Sequence, residues 1–345
     1  MESPVPSTSF ITSPNDLIKP NTTNITQAFC DFSKIPANPF FIFAYSLVCI
    51  VSLVLNCITI RVYFCTNHQV QSSFTVYLKN LATADFLICL SLPVRIATYA
   101  NFSVIMYNIY CSFVIAAFYV NMYASILFMD FIAANRYLKI VRPLETHALQ
   151  TVHTARYISV AAWFLLLSLS SIYIILFLQT SWGNSRRPEG ISCESLHSPQ
   201  FAMAYKIINS CIFVFFIFLL ISLILLYLRT LQKLREAQMS TQVTSNSHKI
   251  EKSRRNMLVL LVIFCVCFVP YHLMRLTYTF ISPLLDDCTT AQVFFILKEV
   301  TVLMSVLNAC LDPLIYFLFC KAFRAQFSFM KKRHQPDSER RQNGR

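Results

Sequence analysis

The chain has 345 residues, 56% of them hydrophobic and 13% charged, with a formal net charge of +13. A soluble domain carries more charge and fewer than these 31 phenylalanines, so the composition is that of a membrane protein with several spans. The basic excess clusters between apolar runs, as in cytoplasmic loops, which argues against nucleic acid as a partner.

Residues 1–39 are polar, with Ser, Thr and Pro throughout. No basic n-region and short apolar core precede them, so no cleaved signal peptide is expected. Asn21 and Asn24 open glycosylation sequons, which fit a tail outside the cell. Seven apolar segments follow, roughly 40–65, 75–99, 111–141, 155–179, 201–228, 255–281 and 291–320. Each is long enough to cross a bilayer as a helix. The expected fold class is an all-α membrane bundle of seven helices.

An odd number of spans places the termini on opposite sides. Arg61, Lys139, Arg142, Arg229, Lys233, Arg235, Lys249, Lys252, Arg254, Arg255, Lys331, Lys332 and Arg333 fall in the links after the first, third and fifth spans and in the tail. The opposite links are near balance, with Arg186, Arg187, Glu189, Glu194, Asp286 and Asp287. The positive-inside rule then puts the N-terminus outside. A third sequon at Asn101 falls in an outside link. From Lys321 to Lys332, Phe323, Phe327 and Met330 recur at helical spacing among basic residues. This predicts a short amphipathic eighth helix on the inner membrane lipids, followed by a polar tail. The expected division is 1–39 extracellular tail, 40–320 seven-span domain, and 321–345 amphipathic helix and cytoplasmic tail.

The third span is the longest unbroken signal. It runs from Cys111 to Pro143 and ends in Asn135-Arg136-Tyr137. Arg136 is expensive inside lipid, so it belongs at the membrane edge, facing protein or water. Asp85 lies mid-span and needs polar partners, for which Asn56, Ser125, Asn308 and Asp312 are candidates.

At the other end of the bundle, His272, Arg275 and Tyr278 are spaced i, i+3, i+6 along one helix. Lys298, Thr301, Ser305, Asn308 and Asp312 form a polar stripe, which on a membrane helix faces the bundle interior. Two cations facing an enclosed space imply an anionic guest. Arginine grips phosphate by paired hydrogen bonds and lysine acts as a point charge. Tyr119 and Tyr123, at i and i+4, could stack on a base or line a lipid channel. Arg95, beyond Pro93, is a third candidate cation. The alternative is structural ion pairing, with Glu299 beside Lys298 and with Asp286 or Asp287 near Arg275.

Three glycines, Gly183, Gly190 and Gly344, all lie outside the apolar runs, which excludes a phosphate loop and a GxxxG contact. Most of the 13 cysteines lie inside apolar runs, and Cys265 and Cys267 face different sides of a helix. A metal site is therefore not expected there. No HExxH, paired CxxC or nucleophile elbow appears, so an enzyme is not expected. A transporter would want internal repeats or broken helices, and none is visible in the sequence.

The chain resembles the rhodopsin-like (class A) G-protein-coupled receptors over residues 40–330. The resemblance rests on landmarks in order, one in each span but the fifth. They are Asn56, Leu81-Ala82-Thr83-Ala84-Asp85, Asn135-Arg136-Tyr137, Trp163, Cys267-Phe268-Val269-Pro270, and Asn308 through Asp312-Pro313-Leu314-Ile315-Tyr316. Within that class it is most similar to the purinergic nucleotide receptors and their lysophospholipid-sensing relatives. Phe268 through Arg275, Lys298-Glu299, Leu311-Asp312-Pro313 and Asn209 in a fifth span without the usual proline carry that likeness.

The resemblance implies a plasma-membrane receptor that activates a heterotrimeric G protein, Gi in this branch. It implies phosphate binding by Arg275 and Lys298, with a nucleotide, a UDP-sugar or a lysophospholipid as ligand. It pairs Cys111 with Cys193 and Cys30 with Cys288. It makes Asp85, Ser125, Asn308 and Asp312 a sodium pocket. It gives Arg136, Tyr137, Phe268, Pro270, Asp312, Pro313 and Tyr316 to the switch. Two positions depart from the pattern. Asn135 stands where an acid usually pairs with Arg136, which implies a weaker resting lock. Phe268 stands where the class often has Trp. Asp130 has no assigned role.

Overall fold

The computed structural model describes residues 37–65, 72–100, 104–141, 150–182, 199–240, 244–285 and 287–319. Asn21, Asn24, Cys30, Asn101, Cys193, Asp286 and the segment 321–345 lie outside the described residues, so the sequons, the eighth helix and two of the four candidate disulfide cysteines do too.

Among the described residues the elements are helical. They are α1 (Asn38–Cys65), α2 (Ser73–Ala100), α3 (Val104–Ile109), a π turn (Tyr110–Val114), α4 (Ile115–Val141), α5 (Val152–Trp182), α6 (Pro199–Ser240), α7 (Thr244–Ile281), a 3-10 turn (Ser282–Leu284), α8 (Cys288–Val306) and α9 (Asn308–Phe319). Among the described residues seven stretches are long and apolar enough to cross a membrane, the third and seventh each built from more than one element. A chain that must satisfy its own backbone in lipid has helix as its open-ended option. The protein is a multi-pass seven-helix bundle.

The third span is the hub. Two-thirds of its most apolar window, 67%, is buried inside the protein, against 17% for the fifth span. Phe128, Met129, Ile132 and Ala133 are fully enclosed, whereas Phe164 on α5 and Val214 and Phe218 on α6 are exposed, as lipid-facing residues are. Trp163 of α5 donates its indole N–H to Asn80 Oδ1 of α2 at 2.8 Å, tying the outlying fourth span inward.

Three of the described spans carry a proline inside the helix. Pro313 inside α9 cannot donate to the carbonyl of Ala309, one turn back. Asn56 Nδ2 of α1 supplies that bond at 2.8 Å. It also donates to Ser52 O at 2.9 Å. The seventh span breaks at Leu307, between α8 and α9. Within α9 Asn308 and Asp312, at i and i+4, meet at 3.0 Å. Pro93 and Pro270 also lie inside helices, α2 and α7.

Two helices run further than their apolar segments. α6 has 42 residues, about 63 Å at the standard rise, roughly twice the hydrocarbon thickness. α7 begins at Thr244, eleven residues before the sixth apolar segment. Both extensions carry exposed cations, among them Arg235, Arg254 and Arg255.

Candidate functional site

Arg275 lies on α7 between one and two turns beyond Pro270, half-buried. Its guanidinium is held by neutral groups from three elements. Nε donates to Asn209 Oδ1 of α6 at 2.8 Å. Nη1 donates to Tyr271 Oη at 2.7 Å and to Tyr119 Oη of α4. Nη2 donates to Tyr205 Oη at 3.5 Å. The charge also lies 4.7 Å from the Tyr119 ring centroid, a cation–π distance. Among the described residues no carboxylate comes within 4.0 Å of Arg275. Asp287, a candidate partner in the sequence, instead caps α8. It accepts from Thr290 N at 2.9 Å and Thr290 Oγ1 at 2.7 Å. Those bonds hold its carboxyl below the usual range.

An aromatic wall continues inward from Arg275. Tyr119 and Tyr123 stack with centroids 6.4 Å apart. Tyr123 meets the His272 ring at 5.9 Å. His272 lies flat on Phe216 at 3.8 Å, and its Nδ1–H donates to Phe268 O at 2.8 Å. His272, Arg275 and Tyr278 therefore do not converge on one point. The helical spacing spreads them, with His272 in the core, Arg275 among tyrosines and Tyr278 against Lys298.

The structure places Arg95, the third candidate cation, inside the bundle. Arg95 is 2% exposed, and its Nη2 sits 2.7 Å from Glu299 Oε2. Tyr99 Oη donates to the same carboxylate oxygen. Arg95 also lies 4.8 Å from the Tyr45 ring and 5.6 Å from that of Tyr110. A buried guanidinium must be paired. Its partner in this structure is the Glu299 carboxylate. Lys298 is intermediate. Its Nζ is 3.8 Å from Glu299 Oε1 and 4.7 Å from both the Tyr278 and Phe295 rings.

In the middle of the bundle Tyr316 Oη donates to Asp85 Oδ2 at 2.9 Å. Asn121, Ser125 and Asp312 are its further polar neighbours. Asp85 Oδ1, Ser125 Oγ, Asn308 Oδ1 and Asp312 Oδ1 are buried without a hydrogen-bond partner among the described residues. Four enclosed oxygens, two of them from acids, suit a hard monovalent cation such as sodium.

At the far end Asn135 Nδ2 donates to Ser73 Oγ of α2 at 2.9 Å. Arg136 lies over the Phe74 ring at 3.6 Å and 5.0 Å from that of Phe319. Asp130, without a role in the sequence, accepts from Ser222 Oγ of α6 at 3.2 Å, bridging the third and fifth spans. Phe268 is fully buried, edge-on to Phe264 at 5.5 Å. Cys111 and Cys288 are each disulfide-bonded. The residues that sequence reasoning missed are Tyr205, Tyr271, Tyr45, Tyr99, Phe74 and Phe319, and it set Glu299 beside Lys298 without its pairing to Arg95. Tyr271 was within reach of it, standing one turn before Arg275 at i and i+4.

A seven-span bundle with a polar mid-membrane cluster, an arginine at one mouth and Asn-Arg-Tyr at the other defines a membrane receptor. The chain belongs to the rhodopsin family of 7 transmembrane receptors, whose pattern matches residues 55–316. Its relatives include G-protein coupled receptor 87 of Mus musculus, 32% identical over 81% of this chain and 76% of that protein. Purinoceptor 14 of Bos taurus is 32% identical over 81% of this chain and 82% of its own length. Lysophosphatidic acid receptor 6 of Mus musculus is 30% identical over 79% and 78%. The protein is a receptor of this purinergic-like group and not an enzyme.

Proposed function

We propose that the receptor senses an extracellular anionic ligand bearing a phosphate, a nucleotide or UDP-sugar, and activates a heterotrimeric G protein of the Gi class. One observation carries the reading. Arg275 is a half-buried cation held by Asn209, Tyr119, Tyr205 and Tyr271, with no carboxylate within 4.0 Å among the described residues. A cation arranged by neutral groups keeps its field for a guest. Lys298 supplies a second, partly shared charge, and Tyr119 and Tyr123 give a face on which a base could stack. The likeness to purinoceptor 14 supports the same ligand class.

A lysophospholipid is the second reading. The wall of Tyr123, His272 and Phe216 beneath Arg275 would suit an acyl chain, and the likeness to lysophosphatidic acid receptor 6 points the same way. In either case the Arg275 mouth faces outward and the N-terminus is extracellular, in the plasma membrane. Cys111 with Cys193 and Cys30 with Cys288 would pin the outer surface. Asp85, Ser125, Asn308 and Asp312 would hold sodium, whose charge would offset the two acids. Tyr137, Phe268, Pro270, Pro313 and Tyr316 would move with Arg136 on activation.

The test is a screen of nucleotides, UDP-sugars and lysophospholipids on purified receptor, read as GTPγS binding by Gi. The reading expects a response to one phosphate-bearing class that Arg275→Ala weakens at least tenfold, about 1.4 kcal/mol. Silence toward every phosphate-bearing ligand in a folded preparation overturns it.

A further inference from the structure

Residue 135, beside Arg136, is asparagine rather than an acid, and its amide is turned to Ser73. Aromatic faces meet the Arg136 charge. Phe74 begins α2 and Phe319 ends α9, and the guanidinium carbon lies 3.6 Å and 5.0 Å from their ring centroids. The two rings also touch each other, with centroids 5.7 Å apart. A guanidinium over a ring face is attracted by the ring quadrupole, which needs no acid at the neighbouring position.

The last turn of α9 makes a second tie. Asn256 Nδ2 of α7 donates to the carbonyl of Leu318, at 3.2 Å, immediately before Phe319. One turn therefore touches both the arginine of the third span and the polar-to-apolar transition of the sixth. Tyr316, three residues earlier, is fixed on Asp85 at 2.9 Å and packs edge-on against Tyr63 of α1 at 5.8 Å. That anchorage keeps the turn in place.

We propose that an aromatic clasp of Phe74 and Phe319, with the Leu318 carbonyl on Asn256, is the resting lock of this receptor, taking the part that an ion pair with residue 135 would otherwise play. The lock is released when α7 and the end of α9 part. Loss of one ring face raises the open population, because the contact exists in the closed state alone.

The experiment uses the full-length receptor in lipid nanodiscs, without agonist. Basal GTPγS binding to a heterotrimeric G protein is compared for the unsubstituted chain, Phe74→Leu, Phe319→Leu and Phe74→Tyr, at matched amounts of folded receptor. The clasp predicts a rise of about fivefold for each Leu variant, and a smaller rise for Phe74→Tyr, which keeps the ring face. Adding Asn135→Asp to Phe74→Leu supplies an acid beside Arg136 and brings basal exchange back down. Hydrogen exchange at residues 251–257 of α7 is read on the same samples and needs no G protein, so it tests the clasp even if the coupling partner is wrong. It rises in Phe319→Leu. Should Phe74→Leu fail to fold, Phe319→Leu carries both readouts; should Phe319→Leu fail, Phe74→Leu with Phe74→Tyr carries the basal readout. Unchanged basal exchange together with unchanged protection at 251–257, or an equal rise for Leu and Tyr at position 74, overturns the clasp.

Discussion

Glu299→Ala is the sharpest structural perturbation available at the Arg275 end of the bundle. The carboxylate is 6% exposed and holds Arg95, itself 2% exposed, at 2.7 Å while accepting from Tyr99. Removing it strands a guanidinium between α2 and α8 with two tyrosine rings and no counter-charge of its own. Breaking a buried pair from one side costs about 3–5 kcal/mol, because the partner left behind has lost its water. Arg95→Met should cost less, since Lys298 at 3.8 Å still faces the abandoned carboxylate. The double variant Arg95→Met with Glu299→Leu removes both charges and should recover most of the loss, leaving a strongly non-additive cycle. The assay is thermal inactivation of detergent-solubilised receptor, followed as a half-life at fixed temperature. Agonist potency of Arg95→Met should stay near that of the unsubstituted receptor, because this arginine is paired with protein. A Glu299→Ala variant as durable as the parent, or a double variant that is the sum of the singles, would refute the reasoning.

Three further outcomes follow from other parts of the bundle. Asn135→Asp should lower basal signalling at matched expression by adding an ionic partner for Arg136; equal basal signals would count against it. Asp85→Asn should remove the difference in agonist binding between sodium and a bulky organic cation as the counter-ion, and a preserved difference would place the cation elsewhere. Cys111→Ser and Cys288→Ser should each lower surface expression, since losing a native bridge typically costs about 2–5 kcal/mol; normal surface levels for both would contradict a structural role.

The sequence carries the bundle clearly because apolar length, the positions of Lys and Arg, and the order of motifs all report one architecture. Its limits are physical. The apolar criterion stops where side chains become polar, so it ends the fifth segment near residue 228, although α6 continues to Ser240. Arg275 was legible as a buried cation at helical spacing from His272. Its tyrosine cradle was not, because Tyr119, Tyr205 and Tyr271 come from three helices whose rotation no local pattern sets. Arg95 shows the same limit with a sign change. Its partner lies 204 residues away, so spacing offered a free cation where packing makes a closed ion pair. Asp130 had no local partner to suggest a role, and Ser222 was visible only once α4 and α6 were side by side. Asn135 was legible as a departure, but the rings of Phe74 and Phe319 against Arg136 were not, since aromatic residues in apolar runs read as core.

The account rests on Arg275 as the cation a negatively charged ligand meets. The most direct measurement is radioligand binding to purified receptor by whichever phosphate-bearing compound activates it, for the parent, Arg275→Ala and Arg275→Lys. The account predicts at least a tenfold loss of affinity for Ala, about 1.4 kcal/mol, and a partial loss for Lys, which keeps the charge without the paired geometry. Equal affinity for all three, with each protein correctly folded, would contradict it.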